Sequence, residues 1–133
     1  MDTQTAPTGT LRVFLFSFGF KYGLPEEVNF LWDVRFLPNP YWVESLRERT
    51  GKEKDVSQHA IGNALGEEFL KLVEPLICFL IEKNTLVQKD AMHLAIGCTG
   101  GRHRSVAVVE SLRKVLDKLP VELTVYHRDI EKG

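Results

Sequence analysis

The chain has 133 residues, a formal net charge of -1, 44% apolar residues and 26% charged ones. That length suits one domain with a real core, and the composition excludes a disordered or fibrous chain. The near-neutral balance excludes a globally polycationic nucleic-acid binder, so any surface for a polyanion must come from local clustering.

Residues 1–9 are polar, lack the apolar stretch of a signal peptide, and are expected to form a disordered leader ahead of one compact domain over 10–133. No apolar run approaches the roughly 18 residues that a membrane span needs. Two cysteines, Cys78 and Cys98, have no metal-type spacing and indicate a reducing compartment, so a cytoplasmic location is expected. Cys78 lies in an apolar helical run and reads as a buried, inert thiol. His59 and His93 have no ligand-spaced partner, so neither a metal nor a cofactor is expected.

"LRVFLFSFGF" (11–20) is short, apolar and rich in β-formers, which predicts a buried strand. "KYGLPEE" (21–27) is a loop. "NFLWDVRF" (29–36) alternates Phe30, Trp32 and Val34 against Leu31, Asp33 and Arg35, a second strand that "LPNP" ends. "YWVESLRERTG" predicts a short helix ended near Gly51. "RERTGKEKD" (47–55) mixes signs and reads as a solvated face or mobile loop. From Asp55 to Lys83 the apolar positions keep a helical period that Pro75 kinks or splits. "AMHLAIGC" (91–98) is a third strand, Arg104 to Leu119 a helix that Pro120 closes, and "VELTVYH" (121–127) a last strand. Alternating strands and helices predict an α/β fold with a mostly parallel sheet and flanking helices.

The densest chemistry is "IGCTGGRHRSV" (96–106), at a strand–loop–helix junction where open α/β sheets bind ligands. Gly100 and Gly101 let the backbone approach an anion and offer it N–H groups. Arg104 has the shape to bind phosphate bidentately, Arg102 and His103 add charge, and Thr99 and Ser105 add hydroxyls. The bland alternative is a glycine turn with a solvated basic flank. A sharper one is catalytic: Cys98, Gly101, Arg104 and Ser105 meet C-x-x-G-x-x-R-S, the loop of cysteine-dependent phosphatases. There the thiolate attacks phosphorus and an aspartate protonates the leaving oxygen. Asp33, Asp55 and Asp129 are available for that role. Gly97 stands where such enzymes usually carry histidine.

Lys21, Arg35, His127 and Arg128 sit at strand ends or in loops, where they either converge on 98–105 or are solvated and paired with Asp33 and Asp129. Phe18, Phe20 and Phe36 are either core residues or platforms for stacked bases. Trp32 and Trp42 read as packing residues, with Trp42 beside Tyr41 as an alternative pocket wall.

"FSFGFKYGLP", "DVRFLPNPYW", "TGKEKDVSQ", "IGCTGGRHRSV" and "HRDIEK" together resemble the C-terminal domain of the RapZ (YvcJ-like) family of bacterial RNase adaptors, long described as nucleotide-binding. The likeness runs from about Leu11 to Lys132. It implies a phosphofructokinase-like subdomain architecture and a non-catalytic domain that senses glucosamine-6-phosphate and binds a small regulatory RNA for processing by an endoribonuclease. It also implies a sugar-phosphate or nucleotide pocket at Thr99, Gly100 and Arg104 and at the residue after Asn39–Pro40. That residue is Tyr41, where a relative has histidine; tyrosine still donates one hydrogen bond but carries no charge. Full-length members add a P-loop domain, and no G-x-x-x-x-G-K-[ST] occurs here, so nucleotide hydrolysis is not expected. The chain is expected to be an excised domain or a freestanding relative. Lys132 is a further anion contact, but only Gly133 follows it where the family's basic tail continues, which lowers the expected affinity for RNA. A homo-oligomer is expected. An oligomerisation module with a structural anion site is the remaining alternative.

Overall fold

The computed structural model describes residues 10–132; the leader expected at 1–9 lies outside them. Strands β1 (Arg12–Gly19), β2 (Phe30–Asp33), β3 (Ala91–Cys98) and β4 (Glu122–His127) form one sheet in the order β2-β3-β1-β4. All three pairings are parallel, so the sheet is wholly parallel rather than mostly so. Three helices complete the α/β fold: α1 (Lys54–Ile61), α2 (Ala64–Leu86) and α3 (Arg104–Leu116).

The pleat sorts the strand residues onto two faces. Val13, Leu15, Met92, Leu94 and Ile96 point to one side and pack with Val73, Ile77 and Ile81 of α2 and Val108, Val109, Leu112 and Leu116 of α3. The opposite face carries Phe16, Phe18 and Ala95, against which Phe20 and Val28 of the β1–β2 loop pack. The connection leaving β1 thus runs over one face, and α3, which follows β3, lies on the other. Because β1 and β3 are neighbours, the crevice between their carboxyl ends is a topological switch point, the place where open α/β sheets bind ligands.

Two helical expectations need correction. The run 55–83 does not break at Pro75. It breaks at Gly62–Asn63, where the Asn63 side chain accepts the Gly66 N–H at 2.9 Å and caps α2. Pro75 stays inside α2 at an exposed position. The helix expected over 41–51 is only a 3-10 turn, Pro40–Trp42, followed by further turns. Carbonyls that a helix would use internally are taken by the next loop: Arg102 Nη2 donates to Glu48 O at 2.8 Å, and His103 Nε2 lies 3.0 Å from Arg47 O. The segment expected to be solvated or mobile is therefore pinned at its start, and Gly51 N–H adds a bond to Arg102 O at 2.8 Å.

Candidate functional site

The loop 99–103 leaves β3 and enters α3 against the end of β1. Gly19 pairs with Cys98 at the last rung of the sheet. Added to Gly19, a Cβ would stand 2.5 Å from Gly100 C; on Gly101, whose φ is +76°, it would stand 2.6 Å from Gly19 N. No side chain fits that approach, which explains glycine at both positions. Lys21 N–H donates to Thr99 O at 3.2 Å and ties the β1–β2 loop to the same turn.

A cavity of about 270 Å³ opens over this junction, lined by Lys21, Tyr22, Asn39, Tyr41, Arg47, Glu48, Cys98, Gly100, Arg102, His103, Arg104 and Lys132. The lining brings together Cys98, Gly100, Arg102, His103 and Arg104 of the loop with Asn39, Tyr41, Lys21 and Lys132, whereas Thr99, Gly101 and Ser105, also singled out from sequence, do not line it. Among the described residues, the lining cations Lys21, Arg47, Arg102 and Arg104 make no carboxylate ion pair; Lys132 Nζ pairs with Asp129 at 2.8 Å. Glu48 is the one carboxylate in the lining. Two buried side-chain atoms lack a hydrogen-bond partner among the described residues: Arg102 Nε and Arg104 Nε.

Arg104 is 5% exposed. Its Nη1 donates to Arg35 O at 2.7 Å and to Leu37 O at 3.3 Å, so one edge of the guanidinium holds the loop after β2. Its Nη2 reaches Thr99 Oγ1 at 3.4 Å. Nη2 and Nε therefore retain hydrogen-bonding capacity. The turn at 39–42 is ordered by the Asn39 side chain, which accepts the Tyr41 N–H at 3.1 Å. Arg47 Nε donates to Tyr41 O at 2.8 Å, and its guanidinium lies 5.0 Å from the Tyr41 ring centroid. Tyr22, Arg47 and Glu48 were not singled out from sequence. Arg47 and Glu48 sit in or beside a mixed-charge run that carries no motif, and nothing in it ranks one arginine above another.

His103 differs from the charged neighbour expected at this loop. Burial pushes its pKa down, and the cations Arg102 and Arg104 push the same way against hydrogen bonds to the carbonyls of Arg47 and Arg49. Its imidazole is neutral near pH 7, with the proton on Nε2, because the facing Arg47 carbonyl can only accept.

Cys98 is 2% exposed and belongs to the main core cluster while also touching the cavity floor. Its thiol donates to Ser105 Oγ at 3.1 Å, and the Ser105 N–H donates to Sγ at 3.4 Å. None of the three aspartates considered as a general acid lines the cavity. Each is held ionised by a basic neighbour. Asp33 is lowered by Arg35 and Asp55 by Arg49. Asp129 is raised by burial, but bonds from Arg128, Gly19 N–H and Lys132 outweigh it and lower it.

The other sequence candidates lie elsewhere. Arg35 pairs with Asp33 at 2.7 Å and stacks over Phe20 with 3.9 Å from guanidinium to ring centroid. Arg128 bonds Asp129 at 2.8 Å and Gly23 O at 2.7 Å. His127 lies between Ser17 Oγ (2.8 Å) and Glu110 Oε2 (2.7 Å) under α3. Phe18 is buried core, and Phe36 is exposed and meets Phe69 edge-on. Trp32 packs on the core, whereas Trp42, expected to be a packing residue, is 75% exposed. Cys78, expected to be buried, is half-buried. No group of three or more metal-ligating side chains occurs among the described residues, and no helix among them is long and apolar enough to cross a membrane.

Fold and cavity together define a parallel α/β domain with a basic, glycine-backed crevice at the switch point of its sheet. The family model described as the RapZ C-terminal domain matches residues 11–131, and the chain belongs to that family. Relatives called "Nucleotide-binding protein" are 45% identical over 123 residues in Caldicellulosiruptor saccharolyticus, 46% over 128 in Bifidobacterium adolescentis and 45% over 133 in Paenarthrobacter aurescens. These alignments cover 92%, 96% and 96% of this chain but 42%, 41% and 42% of the relatives. The chain thus spans about two fifths of the length of the relatives it matches.

Proposed function

We propose that the crevice captures the phosphate of a phosphorylated small molecule, an amino-sugar phosphate or a nucleotide, and that the domain is a non-catalytic sensor. The observation that carries this reading is the pair of buried, unpartnered Nε atoms on Arg102 and Arg104 beside two more cations free of carboxylates. A buried N–H without an acceptor is costly, about 1–3 kcal/mol, and a phosphate oxygen relieves it. The cavity volume of about 270 Å³ suits a sugar phosphate or mononucleotide headgroup better than a dinucleotide. The name that the relatives carry, "Nucleotide-binding protein", supports the same ligand class.

Lys21, Arg47 and Lys132 at the rim would add contacts to RNA phosphodiesters, giving an RNA-adaptor role that hands its cargo to an endoribonuclease. Both cysteines are free thiols, as a cytoplasmic location would have them. Self-association belongs to the same reading and concerns another surface. The test is thermal: inorganic phosphate, glucosamine-6-phosphate and AMP should each be screened for a rise in melting temperature that Arg102→Ala abolishes. A flat response to all three would sink the reading. RNA capture predicts a gel shift that weakens steeply with salt, and no shift at low salt would reject it.

The phosphatase reading has one observation in its favour, the hydrogen bond between Cys98 and Ser105 at the head of α3. Against it stand the burial of Cys98 and the absence of Asp33, Asp55 and Asp129 from the lining. Turnover of an aryl phosphate that disappears in Cys98→Ser would establish it.

A further inference from the structure

A second cleft, of about 420 Å³, shares no lining residue with the crevice and runs between α1 and α3. Lys54, Ser57 and Ile61 line it from α1, and Ala107, Ser111 and Lys114 from α3. On each helix these positions are three, four or seven apart and so share one face. Facing stripes of two packed helices ordinarily carry apolar side chains that close the groove between them. Here α1 buries Val56 and Ala60 instead, and the groove beside them stays open and cationic.

Lys52, in the loop ahead of α1, adds a third ammonium to the lining. Lys52, Lys54 and Lys114 are all exposed, and none pairs with a carboxylate among the described residues. Glu110 is the one carboxylate in the lining, and it is already engaged. Its Oε2 lies 2.7 Å from His127 Nε2 and its Oε1 3.6 Å from Arg113 Nη1. The nearby acids Glu53 and Asp55 are both taken by Arg49. Like charges thus stand on both banks of one groove, a field that draws a counter-anion into it. Ser57 and Ser111 set a hydroxyl donor on either bank.

We propose that this groove binds an extended anion carrying several phosphates. The residue types separate it from the crevice. Arg104 presents a buried, fixed fork suited to one phosphate, whereas three lysines on flexible stems act as separate point charges along a path. The larger volume, about 420 Å³ against about 270 Å³, fits a chain of phosphates better than a single one. An inorganic polyphosphate and a phosphodiester backbone share that chemistry. The inference is independent of the crevice and of what the crevice binds.

The experiment is calorimetric titration with inorganic tripolyphosphate and, separately, with a short unstructured oligouridylate. It is run on Arg102→Ala protein, in which the crevice is impaired and the groove is intact. Saturable binding is expected, and the further double substitution Lys52→Ala, Lys114→Ala should weaken it about tenfold or more. A control pair, Lys71→Ala with Lys89→Ala, removes the same charge from exposed positions elsewhere and should change the affinity less than about twofold. Lysine-dependent binding of tripolyphosphate identifies a free polyphosphate as the occupant. Dependence seen only with the oligouridylate identifies a phosphodiester backbone. No binding of either probe would overturn the proposal, as would an equal loss in the control pair. Failure of the crevice reading would look different: orthophosphate would leave the melting temperature of the wild type unchanged while the groove still bound its probe.

Discussion

Arg104 and Arg35 are joined through backbone rather than charge: the buried Arg104 guanidinium, which lines the switch-point crevice, donates to the Arg35 carbonyl at 2.7 Å. The residue expected to clamp a ligand is thus also the tie that fixes the loop after β2. One planar fork does both because its Nη1 edge faces carbonyls while Nε has no protein partner.

Arg104→Ala should therefore lower stability as well as any anion affinity. The carbonyls of Arg35 and Leu37 lose their donor, and the cost is about 2–3 kcal/mol. Arg104→Lys should recover only part of it, since an ammonium cannot span both carbonyls and Thr99 at once. Urea unfolding measures the loss. Unchanged midpoints in both variants would remove the tie from the account.

Gly19→Ala places a methyl group 2.5 Å from the Gly100 carbonyl carbon, where only backbone stands to move. We expect a loss of about 1–3 kcal/mol, as for overpacked sites, and loss of the thermal response to phosphate, since the 99–103 turn must shift. Normal stability with a normal phosphate response would contradict the close approach of the two loops.

Stability should fall on mild acidification. Burial lowers the pKa of His127, although Glu110 beside it opposes the shift, and burial likewise lowers that of His103. With folded values below the unfolded value of about 6.5, the unfolded chain binds more protons between the two. The stabilising contribution is complete above about pH 6.5 and is lost as pH falls toward the folded values. Denaturant midpoints at pH 7.5, 6 and 5 should decline in that order, and His127→Gln should flatten the slope. A level profile over that range would reject it.

The strands and α3 were legible in the sequence because short apolar runs bounded by glycine and proline leave few alternatives. The loop at 98–105 stands out in the sequence for a local reason: glycine, basic and hydroxyl residues are contiguous there. Less legible was everything set by partners distant in the chain. Arg47 reads as one charge in a mixed run, yet its cavity position depends on Tyr41. The 41–51 segment has a helical pattern, but its carbonyls of Arg47 and Glu48 serve His103 and Arg102, more than fifty positions away. Asn63 ends α1 and starts α2 because its side chain caps, a local signal that Pro75 masked. The helical period of α2 did not show that Leu72, Leu76 and Phe79 stay exposed, since a period shows that faces exist and not how many are covered.

The central claim is that the basic crevice between β1 and β3 is an anion site. Isothermal titration with glucosamine-6-phosphate and with AMP, at low salt, tests it most directly. The account predicts saturable one-to-one binding of at least one of them, weakened about tenfold or more by Arg102→Ala and by Lys21→Ala. The absence of heat from both ligands, or an affinity that neither substitution changes, would contradict it.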